Sequence, residues 1–172
     1  TVAVPIYVKK RFYIVKRPGF TAANTPAAGE KGQAILIWTG NAQKIISAFG
    51  ATHSTVYDST SSLGAITGRC TGLTETTITT TATIVASSSD STAWYYDTGV
   101  GVMTKIVDGQ FPGNAGETIV GTFAHIGGFA CIMTSSGQLW ASDINSVTAW
   151  TANSFGSTSA SPDKGIGCVR FK

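Results

Sequence analysis

Apolar residues in this chain gather in clusters of four to seven, rich in Val, Ile, Thr and aromatic side chains and bounded by Gly, Asn, Asp, Ser or Pro. Clusters of that length and composition predict β-strands. The pattern places them over residues 6–16, 34–38, 44–49, 54–58 and 76–86, then over 93–97, 103–107, 118–123, 129–134, 138–142 and 167–171. Between them, Thr39-Gly40-Asn41, His125-Ile126-Gly127-Gly128 and Ser135-Ser136-Gly137 supply residues that accept positive φ or bond their own backbone, as short hairpin loops require. Consecutive strands are therefore expected to be antiparallel neighbours. No window of about 12 residues sustains apolar positions at i, i+3, i+4 and i+7, so helix is expected at most as one turn near residues 145–150.

Short strands at even spacing fit a sandwich, a barrel or a propeller. Residues 44–58 run strand, Gly-containing turn, strand, and residues 129–142 repeat that plan. This weak repeat of hairpin units favours the propeller. The expected fold is all-β, made of antiparallel β-propeller blades. Residues 1–33 form an amino-terminal strand and basic turn segment leading into blades over residues 34–172.

Composition narrows the setting. With 172 residues and 42% apolar content, the chain can bury a full core. Only 12% of residues are charged, against about 25% in an average soluble domain. An apolar β-rich surface with so few charges favours association, and so a place inside a larger assembly. No basic start, apolar stretch and small-residue cleavage site mark a secretion signal. The longest apolar runs, such as residues 34–38, are far below the roughly 20 residues that span a bilayer. Cys70, Cys131 and Cys168 are widely separated and contain no C-x-x-C pair, so buried free thiols and synthesis in a reducing cytoplasm are expected.

Catalytic signatures are absent from the sequence: there is no G-x-S-x-G, H-E-x-x-H, G-x-G-x-x-G or G-x-x-x-x-G-K-[ST]. His53 and His125 lie far apart without an acidic neighbour at helical spacing, which suits strand or turn residues better than metal ligands. No enzyme activity, cofactor or metal is expected. Two segments, residues 88–94 and 142–150, resemble the Asp-box of sialidase-like propellers, S-x-D-x-G-x-T-W. Both lack its Gly and differ in spacing to Trp. An Asp-box is itself a turn device, so Asp143 and Trp150 are expected to staple a loop.

The opening segment stands apart in charge. Lys9, Lys10, Arg11, Lys16 and Arg17 are five of the twelve basic residues, and no acid precedes Glu30. Read as one strand, alternation puts Lys9 and Arg11 with Tyr7 and Tyr13 on one face, and Lys10 and Lys16 with Phe12 and Ile14 on the other. Such a strand is either simply solvated or a strip facing phosphates or a protein partner. Pro18 and Gly19 then turn the chain sharply, Pro fixing φ and Gly allowing the return.

The order of motifs resembles a known family. Lys16-Arg17-Pro18-Gly19-Phe20 is followed by residues 45–50, 54–58, 63–68 and a strand at 84–86, then by Trp94-Tyr95-Tyr96-Asp97, Asp108-Gly109-Gln110-Phe111-Pro112-Gly113, residues 139–145 and Ser161-Pro162-Asp163. In that order the chain resembles the packaged-DNA stabilisation proteins of short-tailed bacteriophages, the tail hub or nozzle proteins. The resemblance spans most of the chain and rests on order and spacing, since no single motif in it is specific. It implies a virion protein synthesised in the host cytoplasm, forming a six-fold ring below the portal and adaptor. That ring would close the DNA exit channel, retain packaged DNA and dock the tail needle or spikes. About a dozen strands make roughly three four-stranded blades, fewer than the four to eight of a closed propeller. The chain is therefore expected to be the amino-terminal portion of the family pattern. Strands from the remainder, or from a neighbouring subunit, would pair with its edge.

Two other classes compete. A carbohydrate- or receptor-binding tail module would stack sugars on exposed aromatics, with Trp38, Trp94, Trp140 and Trp150 as candidates; a propeller-type glycosidase or lyase would need a carboxylate pair that only spatial separation identifies.

Overall fold

A computed structural model describes residues 3–8, 11–16, 28–40, 43–59, 61–79, 81–152, 154–157 and 164–169, the first two spans as backbone only. The described residues form fourteen strands and no helix.

Strands β1 (Ala3–Val8) and β2 (Arg11–Lys16) pair antiparallel, with Val8 opposite Arg11 and Ala3 opposite Lys16. The single strand expected over residues 6–16 is thus a hairpin. Folding back gives each half a backbone partner, which one long strand would have lacked. The faces change too: Tyr7 pairs with Phe12 and Tyr13 with Ile6, so Tyr7 and Tyr13 take opposite pleats.

The remaining strands form three four-stranded antiparallel sheets, each in chain order, and no sheet closes on itself. Sheet I holds β3 (Lys31–Trp38), β4 (Lys44–Gly50), β5 (Ser54–Asp58) and β6 (Ser61–Ile66). Sheet II holds β7 (Cys70–Ile78), β8 (Thr81–Ser88), β9 (Ala93–Asp97) and β10 (Val102–Lys105). Sheet III holds β11 (Ile119–Ile126), β12 (Phe129–Thr134), β13 (Gln138–Ala141) and β14 (Phe155–Ser157). The strand expected over residues 76–86 is therefore also two strands, with Ile78 opposite Thr81. Thr79 turns the chain there at φ 58°, a conformation β-branched residues seldom adopt, and its N–H donates to the Asn145 carbonyl at 2.6 Å. Residues 145–150 form no helical turn: Asn145 takes φ 53° and Ser146 bridges in parallel to Phe129.

Two cores lie between the three sheets. Trp38, Ile46, Val56, Leu63 and Ile66 of sheet I meet Leu73, Ile84, Ala86 and Met103 of sheet II. On the other side Val85, Ala93 and Ile106 meet Ile119, Phe123, Ile132 and Trp140 of sheet III. Sheet II is thus buried on both faces, and successive residues of β8 go to different cores, Ile84 and Ala86 to the first and Val85 to the second. Each such Ile or Val side chain contributes about 1.5–3 kcal/mol by leaving water. The second core is completed from connections: Phe111 lies between β10 and β11, and Val147 and Trp150 between β13 and β14. Phe111 meets Trp150 edge-on, with ring centroids 5.1 Å apart, and stacks on Phe123 at 6.5 Å.

Candidate functional site

The first strands of the three sheets lie side by side. The Thr39 hydroxyl and N–H donate to the Glu75 carboxylate at 2.7 and 3.2 Å, joining the end of β3 to β7. From β7, the Thr71 hydroxyl donates to the Gly121 carbonyl at 3.3 Å, Thr74 to the Phe123 carbonyl at 2.7 Å, and Thr77 sits 3.4 Å from the His125 ring. The contacts advance in the same direction along both strands, so β7 and β11 run parallel. Residues 164–169 continue the series beyond β11, with the Cys168 thiol on the Thr122 carbonyl at 3.5 Å and Gly167 against Gly121.

These strands line an open groove of about 590 Å³. Its walls carry the Thr74, Thr77 and Thr122 hydroxyls beside His125, and among the described lining residues Glu75 is the one carboxylate. None of the described lining residues is Lys or Arg. Hydroxyls and peptide groups of this kind can hydrogen-bond a polar chain without holding it by charge. Nothing in the sequence but its Thr content pointed to this seam, because the residues come from strands about fifty positions apart.

Of the basic strip, Lys9, Lys10 and Arg17 lie outside the described residues, as do the turn residues Pro18 and Gly19. Arg11 and Lys16 occupy opposite ends of β2, an odd number of positions apart and so on opposite pleats.

Asp143 and Trp150 are both placed in the β13–β14 connection. Asp143 donates its N–H to the Ala149 carbonyl at 2.9 Å and accepts the Thr151 hydroxyl at 2.7 Å. Trp150 is 4% exposed, its indole N–H donates to the Val147 carbonyl at 3.0 Å, and its backbone N–H donates to Asp108 at 3.1 Å. The other Asp-box-like segment joins β8 to β9. There Asp90 accepts the Thr92 hydroxyl at 2.6 Å and its N–H at 3.2 Å, and Thr92 in turn accepts the Trp94 indole N–H at 3.1 Å. Partial burial pulls the Asp90 pKa upward, but hydrogen bonds from Thr92, Thr67 and Ser88 outweigh it and hold the carboxyl below its ordinary 3.8.

Trp38, Trp140 and Trp150 are buried, and Trp94 packs against the first core. A shallow recess of about 300 Å³ presents other aromatics, Tyr95 and Tyr96, beside Asp97 and Thr148. Burial pushes the Cys70 thiol up to about 11, and burial likewise raises Cys131 and Cys168. Among the described residues no group of three or more His, Cys, Asp or Glu is placed to hold a metal ion. No described helix is long and apolar enough to cross a membrane. No protein-family model matches this sequence, and no curated protein matches it either.

Proposed function

We propose that the chain is a non-catalytic structural protein whose three sheets are consecutive blades of a β-propeller, serving in the tail hub or nozzle of a short-tailed phage. The observation that carries the blade reading is the shared direction of the leading strands: β7 and β11 lie side by side, residues 164–169 lie next to them, and each sheet proceeds outward from that seam in chain order. Propellers place the first strand of every blade in this way around a central axis. The phage assignment is supported by the motif order in the sequence. In such a ring the basic segment would face DNA or the adaptor, and a ring of identical subunits would use heterologous, self-closing contacts.

A hydroxyl-rich seam whose described lining carries no Lys or Arg suits an assembly through which a polyanion must slide, since phosphate-binding cations would retard it. The direct test is antibody labelling of virions from the source phage, with loss-of-function mutants of the same gene. Label at the neck or tail, and filled heads that lose their DNA in the mutant, are the expected results. Label elsewhere, or stable filled heads, would overturn the assignment.

A carbohydrate-binding tail module is the second reading. The tryptophans are core residues, which weighs against it, but the recess with Tyr95 and Asp97 combines an aromatic face with a carboxylate. Glycan-array binding abolished by Tyr95→Ala would favour it over the hub.

A further inference from the structure

We propose that the β1–β2 hairpin covers the open face of sheet I, as the strand pair of a further sheet packed there. The inference rests on packing alone and is independent of any role in a phage.

The face of sheet I turned away from sheet II exposes large apolar residues around Ser47, which is itself buried among them. Ile35 is 74% exposed, Ile37 64% and Ile45 44%, and the register places Ile37 beside Ile45 and Ile35 in one row with Ser47 and Tyr57. Phe49 closes the patch, edge-on to Tyr57 at 6.0 Å and lying against Gly32. Contiguous apolar surface of this kind marks a covered site.

The same positions are covered in the other two sheets. Alternation in β4 sends Ile46 and Ala48 toward sheet II and leaves Ile45, Ser47 and Phe49 outside. In β8 the face turned back toward the preceding sheet carries Ile84 and Ala86, and in β12 it carries Ala130 and Ile132; all four are buried. The third strand repeats the correspondence, with Trp94 and Tyr96 packed toward sheet I, Trp140 toward sheet II, and Tyr57 alone facing outward. In both closed interfaces the covering sheet is the one that precedes the covered sheet in the chain. For sheet I the preceding sheet is that of β1 and β2.

The hairpin has matching needs. It forms its own two-stranded sheet, and a two-stranded hairpin is marginal by itself. Its register puts apolar residue types on both pleats: Val4 with Val15 and Ile6 with Tyr13 on one, Pro5 with Ile14 and Tyr7 with Phe12 on the other. Residues 17–30 separate β2 from β3, a length that can reach about 45 Å, whereas stacked sheets lie about 10 Å apart. A tether that short holds the chain's own hairpin at a high effective concentration, which favours it over the hairpin of a second copy.

Hydrogen–deuterium exchange on the whole chain tests this, comparing the parent with the double variant Ile35→Asp, Ile37→Asp. The parent is expected to protect amides in residues 3–16 at least tenfold over an unfolded peptide, and the variant to lose that protection while the peptides containing Ile84 and Ile132 stay unchanged. Unprotected hairpin amides in the parent, or equal protection in both proteins, would overturn the proposal. Should the variant fail to fold, Ile6→Asp with Ile14→Asp gives the reciprocal reading: a severalfold rise in binding of an apolar fluorescent dye supports the docking, and no rise overturns it. Protection that falls on hundredfold dilution, with a dimeric mass in sedimentation, would assign the hairpin to a second copy and overturn the intramolecular form.

Discussion

Gly121 and Gly167 meet backbone to backbone: a Cβ at Gly121 would stand 2.9 Å from the Gly167 Cα. Gly121 also has φ +72° and accepts hydrogen bonds from Ser87 and Thr71, so it is the point where sheet II, β11 and residues 164–169 converge. Gly121→Ala meets both a steric and a conformational penalty. The expected loss is about 1–3 kcal/mol in urea unfolding, with faster proteolysis within residues 164–169. An unchanged midpoint would mean that those residues do not dock there.

Trp150 fills the second core between Phe111 and Phe123. Trp150→Ala is expected to cost about 3–5 kcal/mol of stability. Trp150→Phe should cost less, because it keeps most of the apolar contact and loses the bond to the Val147 carbonyl. Calorimetry on both variants checks the order.

The Asp90 carboxyl titrates below its unfolded value, so its contribution to stability is present above about pH 4 and is lost as pH falls through the folded pKa. Asp90→Asn should flatten the acid limb of the stability profile while leaving its shape above pH 5 unaltered. Asp90→Ala removes the bonds to Thr92 as well and should cost about 1 kcal/mol at neutral pH.

Thiol reactivity should follow exposure. Cys70 is 4% exposed with its pKa raised to about 11, and Cys131 is 7% exposed, whereas Cys168 is only partly buried. An aromatic disulfide reagent at pH 8 is expected to titrate Cys168 first, and the other two only upon unfolding. Rapid reaction of Cys70 in the native protein would contradict the packing of β7 against sheet I.

If the chain is the proposed phage tail hub, reversal of charge at Lys9, Lys10 and Arg11 to Glu separates the roles proposed for the basic segment. If it faces DNA, particles should assemble and then leak their genome; if it binds the adaptor, tails should fail to attach. Normal tails, retained DNA on heating and full infectivity would leave these residues with no DNA or adaptor role.

Strand content was largely legible because apolar clusters and turn residues alternate so regularly; Ser135-Ser136-Gly137 and Gly127-Gly128 marked their hairpins correctly. The pattern missed β6 and β14 and placed a strand over residues 167–171, whose described part, residues 167–169, is not a strand; it also fused strands where a turn lacked Gly or Pro. Thr79 sits between strands rich in the same residue, so nothing local separates β7 from β8. The break between Val8 and Arg11 was hidden likewise, by basic residues that fit a solvated strand as well as a loop. The seam was illegible for a different reason. It is made by strands that meet only after the sheets stack, and a Thr on such a strand carries the same local signal as one facing solvent.

Because sheet II has no solvent-facing side, its tolerance to substitution should have a different rhythm from that of its neighbours. In β4, replacements by polar residues should be harmful at Ile46 and Ala48 and tolerated at Ile45 and at Ser47, itself polar, as long as the outer face stays uncovered. Over the buried stretch of β8 every position should resist them, Ile84 and Val85 alike. A saturation-mutagenesis profile would then show a period of two residues in one strand and none in the other. If the hairpin covers sheet I, the period in β4 should vanish as well, and the profile alone would report the closure.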